Sequence, residues 1–243
     1  MTLLRSLLFN LAFYLWTAFL GIAALPMAVT PRRWTMIFGS WWSGTVLWLA
    51  RVIAGIDYEL RGSERLPAGS VIIAMKHQSA WDTLATPVLF HDPAIVAKRE
   101  LLWIPLYGWY ARRAGMIPVD RGAGATALRR MVEHALRAVA LQRPIVIFPE
   151  GTRTAVGARR AYHPGVAALY SRLGIPVVPV ALNSGLFWSR RSFMKHPGKI
   201  VVELLPPIPP GWERRRFLTE LQERIETATE RLVAEANRKG TRL

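Results

Sequence analysis

Residues 69–83 read GSVIIAMKHQSAWDT, and the change of character within this stretch decides the fold. The apolar run 71–75 has no polar interruption, as a strand covered on both faces requires. A polar cluster follows, and Ser79, a good N-cap residue, opens a helix over 79–90. His77 therefore falls at the end of a strand and Asp82 in the first turn of a helix. From there the carboxylate can reach back to one imidazole nitrogen, fix the tautomer and stabilise the imidazolium, leaving the other nitrogen as a general base. On its own this pair is a common coincidence of spacing. Ser79 as a nucleophile with His77 as its base is the competing reading. Two residues apart at a helix start they are poorly placed for that bond, and the chain has no G-x-S-x-G elbow.

The strand-then-helix pattern recurs along the chain. PAIVAK (93–98), GMIPVD (115–120), PIVIFPEG (144–151), GIPVVPVALN (174–183) and GKIVVELL (198–205) read as short buried strands, and DYELRG (57–62) alternates like an exposed one. Helical stretches lie between several of them, at 79–90, 100–114, 124–141 and 164–173. This order predicts an α/β fold with a mostly parallel central sheet flanked by helices. Pro176 and Pro179 are expected to limit ladder pairing in their strand. Four prolines between 206 and 210 break the chain before a last amphipathic helix, whose stripe is Phe217, Leu221, Ile225, Ala228 and Leu232.

Two further strand ends carry polar groups. In IVIFPEGTRT (145–154), Glu150, Gly151 and Arg153 suit a ligand bearing both hydroxyl and phosphate. Glycine allows close backbone approach, and arginine's planar fork grips phosphate oxygens in pairs. The bland alternative is a turn with a surface ion pair. GMIPVDRG ends in Asp120 and Arg121, which read equally as solvated turn charges. What joins these residues to His77 is position: in α/β sheets, ligands bind outside the carboxyl ends of strands. The five histidines and Asp82 match no metal-ligand spacing.

Composition narrows the partners. With 32 Lys+Arg against 16 Asp+Glu, the net charge of +16 attracts polyanions such as anionic lipid headgroups. Much of the excess lies in the segment 98–172, which has 13 basic and four acidic residues. No zinc spacing or RNA-binding aromatic motif supports nucleic-acid binding. Cysteine is absent, which rules out disulfides and a cysteine nucleophile.

The first 54 residues point to a membrane. Between Arg5 and Arg32 lie 26 uncharged residues, and a second uncharged stretch, 34–50, carries Trp34, Trp41, Trp42 and Trp48. About 20 apolar residues suffice to span a bilayer, and tryptophan favours its interface. A signal peptide is disfavoured by the length of the run and by the second apolar piece. We expect an N-terminal hydrophobic two-helix membrane-associated segment over 1–54, followed by a catalytic domain over 55–243. If both helices spanned, Arg32 and Arg33 would face away from the basic domain, against the positive-inside tendency. A hairpin lying in one leaflet is therefore expected, with the domain at the cytoplasmic face of a bacterial-type inner membrane.

Taken together, these motifs resemble the glycerolipid acyltransferase family, best known for 1-acylglycerol-3-phosphate O-acyltransferases. The family's NHxSxxD block corresponds to KHQSAWD (76–82), the block ending in arginine to GMIPVDR (115–121), the third to FPEGTRT (148–154), and the fourth to VPVAL (178–182). The resemblance covers roughly 55–210 and implies a membrane-bound O-acyltransferase. His77 would take the proton from a lysophospholipid hydroxyl, with Asp82 as its orienting partner, and the oxygen would attack the thioester of acyl-ACP or acyl-CoA. Arg121 and Arg153 would hold the glycerol phosphate, while Glu150, Gly151 and Thr152 would position the acceptor. No metal or redox cofactor is implied.

The chain departs from the family pattern at Lys76, where asparagine is usual, and at Pro118, where an aromatic is common. Lys76 would act on His77 or bind phosphate unless strand alternation turns it to the other face. Arg159 and Arg160 stand in place of the family's lysines, for contact with anionic lipid or an acidic carrier protein, or merely as a solvated loop. These departures bear on the acceptor, leaving an amino-acid-containing lysolipid as an alternative substrate. A non-catalytic protein binding anionic membranes is the alternative of a different class.

Overall fold

The computed structural model describes residues 1–120, 122 and 124–238. The strand-like segments form one seven-stranded sheet: β1 (Ile56–Arg61), β2 (Ile72–Met75), β3 (Ala94–Lys98), β4 (Ile117–Val119), β5 (Ile145–Ile147), β6 (Val177–Leu182) and β7 (Gly198–Leu204). Their spatial order is β1-β7-β6-β2-β5-β3-β4, and every pair is parallel except β6 with β7. β2 and β5 are adjacent near the middle, with Ala74 opposite Ile147. Three residues further on, that register brings His77 beside Glu150.

Side-chain alternation assigns the two faces. Ile73 and Met75 of β2 join a core with Val146, Trp81 and Leu47, whereas Ile72 and Ala74 pack with Met131, Leu169 and Ile225 on the other side. The first face is covered by α3 (Ala80–Leu89) and an N-terminal arm, α1 (Thr2–Ala23) and α2 (Arg32–Leu49). The second is covered by α5 (Gly124–Ala140), α6 (Pro164–Leu173) and α7 (Arg214–Arg238). All five residues of the expected α7 stripe are buried.

Two expectations are corrected. The helix expected over 100–114 is instead a 3₁₀ turn, Arg99–Trp103, followed by α4, Tyr107–Arg113. Pro105 lies between them; it lacks the N–H a continuous helix needs and disfavours helical geometry in the residue before it. Pro179 sits inside β6 without ending its pairing with β2, because its carbonyl accepts the Leu205 N–H at 2.9 Å as β7 leaves the ladder.

The arm is docked, not free. Phe9 is buried edge-on to Trp188 at 5.1 Å, Ser6 Oγ accepts the Lys195 N–H at 2.9 Å, and Tyr110 OH donates to the Gly21 carbonyl at 2.9 Å. Arg32 grips Asp92 in two bonds of 2.7 and 2.6 Å. The outer side of α1 stays bare, with Leu4, Leu8, Leu11, Leu15, Phe19 and Ile22 exposed, and Trp34, Trp41 and Trp48 of α2 are exposed too. By length and composition α1 is able to cross a membrane.

Candidate active site

The junction of β2 and α3 is built by local hydrogen bonding. Ser79 is the N-cap: its Oγ accepts the Trp81 N–H at 3.1 Å, and Asp82 returns a bond to the Ser79 N–H. Oδ2 of Asp82 accepts three times, from Gln78 N–H (2.7 Å), Ser79 N–H (2.8 Å) and His77 Nδ1 (2.9 Å). Its Oδ1 accepts the Ser184 hydroxyl at 2.5 Å. A fully buried carboxylate is tolerated because its oxygens are satisfied in this way. The capping role leaves Ser79 Oγ buried and engaged, which removes it as a nucleophile.

His77 is held on four sides. Asp82 holds Nδ1, the Phe148 ring stacks on the imidazole at 4.1 Å, Glu150 Oε2 accepts the His77 N–H at 2.8 Å, and the Thr154 N–H donates to its carbonyl at 2.8 Å. With Nδ1 donating to Asp82, Nε2 is the ring's free acceptor. His77 lines a cavity of about 270 Å³ at the carboxyl ends of β2, β3, β4 and β5, together with Lys98, Asp120, Phe148, Gly151 and His163. A larger and more apolar cavity, about 420 Å³, lies between the arm and α4. Ile95 and Tyr107 line both.

The remaining sequence candidates divide. Gly151 lines the cavity with φ of +66°, and a methyl group there would come within 2.5 Å of His163 Cδ2, so glycine is required on both counts. Arg153 and Thr152 are half-buried after β5, and Arg153 has no side-chain partner among the described residues. Glu150 is brought beside His77 but faces inward, fully buried, with Oε1 2.7 Å from Lys76 Nζ. Arg121 lies outside the described residues. Its neighbour Asp120 pairs with Arg99 at 2.8 Å. Arg159, expected to meet lipid or a carrier, pairs with Glu230 of α7 at 2.6 Å. Among the described residues no three His, Asp or Glu side chains are placed to hold a metal ion.

Lys76 points away from His77. It continues the Ile72–Ala74 face of β2, so the lysine contacts α7 while His77 faces the cavity. Its ammonium donates to both oxygens of Glu226 at 2.7 and 2.8 Å, and Tyr162 OH donates to the same carboxylate at 3.2 Å. Burial, with Glu226 and Glu150 nearby, pushes the Tyr162 phenol far up, so it stays a donor. Ser184, His163 and Glu226 belong to this site although the sequence assigns them no role, as do Phe148 and Thr154, which lie in FPEGTRT but carry none there.

Comparison with known proteins agrees with this geometry. A family model described as Acyltransferase matches residues 57–183, just over half the chain. A 1-acyl-sn-glycerol-3-phosphate acyltransferase of Pseudomonas aeruginosa is 33% identical over 234 residues, covering 96% of this chain and 90% of that protein. The alpha form from Homo sapiens is 29% identical, covering 83% and 72% of the two chains. A lyso-ornithine lipid O-acyltransferase of Pseudomonas aeruginosa is also 29% identical, covering 86% and 87%. The fold matches the crystal structure of the 1-acyl-sn-glycerophosphate (LPA) acyltransferase PlsC from Thermotoga maritima, with TM-score 0.78, 22% identity and coverage of 96% and 98%. On the motif-bearing region and the whole-length likeness together, this chain belongs to the acyltransferase family.

Proposed function

We propose that the protein transfers a fatty acyl group from an acyl thioester, acyl-ACP or acyl-CoA, to the free hydroxyl of 1-acylglycerol-3-phosphate, giving phosphatidic acid. The observation that carries this reading is the His77–Asp82 pair, with Nδ1 tied to the carboxylate and the ring on a cavity that adjoins an apolar one. Nε2 takes the acceptor's proton, the oxygen attacks the thioester carbonyl, and the new C–O bond forms. The tetrahedral intermediate then expels sulfur, and the proton held on His77 passes to the thiolate. Proton transfer of this kind contributes about 10²–10⁴-fold. Arg153, half-buried after β5 and without a side-chain partner among the described residues, is assigned to the acceptor phosphate with Arg121, because a guanidinium binds phosphate oxygens in pairs. Gly151 and Thr152 border the acceptor, while Glu150 contributes through His77.

The apolar cavity under the arm suits the acyl chain, and the bare faces of α1 and α2 suit a hairpin lying in one leaflet with the domain at the cytoplasmic side. The likeness to a lyso-ornithine lipid acyltransferase keeps that acceptor as the second reading. The test is acyl transfer by purified protein with a long-chain acyl thioester, comparing lysophosphatidic acid, lyso-ornithine lipid and a phosphate-free lysolipid. The highest kcat/KM is expected on lysophosphatidic acid. A preference for lyso-ornithine lipid would keep the reaction and replace the acceptor, and transfer to none of the three would refute the assignment.

A further inference from the structure

Behind the histidine, on the opposite face of the sheet, lies a group of buried charges that does not line the catalytic cavity. Lys76 is 1% exposed, Glu150 0% and Glu226 3%. The lysine ammonium stands between the two carboxylates, 2.7 Å from Glu150 Oε1 and 2.7 and 2.8 Å from the oxygens of Glu226. A buried ion triad is a poor stabilising device, since well-packed apolar residues of the same volume serve stability as well or better. Its retention in the core calls for another account.

That account lies in what the triad touches. Glu150 uses its other oxygen to accept the His77 N–H at 2.8 Å. Lys76 is the residue before His77, so its side chain pins the same peptide link from behind. The C-terminal helix is thus linked to the catalytic main chain in series, by hydrogen bonds from Lys76 to Glu226, an ion contact from Lys76 to Glu150 and a hydrogen bond from the His77 N–H to Glu150. The Thr154 N–H closes the other side of the histidine, at its carbonyl. With main chain and Nδ1 both fixed, the direction of Nε2 is fixed. Misplacing a reacting group by about 1 Å is enough to cost roughly 10²-fold in rate.

We propose that Lys76 and Glu226 are positioning residues for acyl transfer, holding the Glu150 carboxylate where it fixes the His77 main chain and so aims Nε2 at the acceptor hydroxyl. This rests on the reading of His77 as the general base. The series also makes α7 part of the catalytic apparatus although it contributes no residue to the cavity.

The experiment is steady-state kinetics on Lys76→Met and Glu226→Met, each alone and in a His77→Ala background, with folded protein quantified by circular dichroism. Glu226→Met leaves Lys76 and Glu150 as a balanced pair, so it keeps the fold even if Lys76→Met does not. Each single variant is expected to lower kcat about 10- to 100-fold with both KM values within about threefold. Glu226→Gln, which retains an acceptor for the ammonium, is expected to restore kcat to within about threefold of wild type. In the His77→Ala background the same changes are expected to add less than about twofold, because they act through a group already gone. Wild-type kcat in folded Glu226→Met, or a full multiplicative loss without His77, would overturn the proposal. An active His77→Ala enzyme would instead overturn the base assignment on which it rests.

Discussion

The carboxylate of Asp82 holds the Nδ1 atom of His77 at 2.9 Å with the same oxygen that caps helix α3 through the Gln78 and Ser79 N–H groups. One side chain therefore fixes both where the helix starts and how the imidazole is turned.

Asp82→Asn separates this geometry from the charge. The amide oxygen can take the place of Oδ2 and keep all three bonds, with its NH₂ toward Ser184 Oγ, but a neutral amide no longer stabilises the imidazolium that forms when Nε2 takes a proton. We expect kcat to fall about 10²–10⁴-fold, while stability drops by about 1 kcal/mol. Kinetics and thermal melting of the same preparation check the two numbers. Parallel losses limited to stability would remove Asp82 from the reaction.

Arg153 has no side-chain partner among the described residues, so removing it disturbs little of the fold. Arg153→Ala is expected to raise KM for a phosphate-bearing acceptor about tenfold or more, with kcat near wild type, as for a contact made equally in ground and transition states. Arg153→Lys should recover part of the loss, a point charge replacing a fork. The same substitution tested on a phosphate-free lysolipid should show no change in KM.

Ile95 and Tyr107 stand where the catalytic cavity meets the apolar one. Ile95→Trp narrows that junction, so kcat/KM for long-chain thioesters should fall while short-chain donors are unaffected. A chain-length series on wild type and variant reads this directly, and a uniform loss across lengths would detach the apolar cavity from the donor chain.

Lys195 sits under the arm, buried with no carboxylate partner among the described residues. Its ammonium donates to the Ser192 and Phe193 carbonyls at 3.1 and 2.9 Å and lies 5.1 Å from the Trp188 ring centre. Burial pushes its pKa down from 10.5 to about 8. The unfolded chain therefore binds more protons than the folded one between those values, and stability should rise with pH across that interval and be flat below about pH 8. Melting temperature measured from pH 7 to 10 should climb in wild type relative to Lys195→Met. Parallel curves would show that Lys195 ionises alike in both states.

Much of this molecule was legible because its signals are local. Apolar runs marked six of the strands and alternation marked β1, and the Ser79 to Asp82 spacing marked a capped helix with a histidine just ahead of it. Orientation at long range was less legible. Glu150 reads as a ligand residue in sequence, yet it turns inward, because Lys76, one position before its neighbour His77 and turned to the α7 side, pairs with it there as well as with Glu226. Lys76 could be assigned a face only once the pleat of β2 was fixed by its neighbours. Ser184, 102 residues from Asp82, reaches it only through the pairing of β6 with β2. Arg121 belongs to the resemblance alone, since it lies outside the described residues.

The most direct test of the account compares wild type with His77→Ala, using purified protein, a long-chain acyl thioester and lysophosphatidic acid, alongside binding to anionic vesicles. The account predicts that His77→Ala forms phosphatidic acid about 10²–10⁴-fold more slowly while binding vesicles as wild type does, since the arm and the basic surface are untouched. A His77→Ala protein that turns over at the wild-type rate would contradict it.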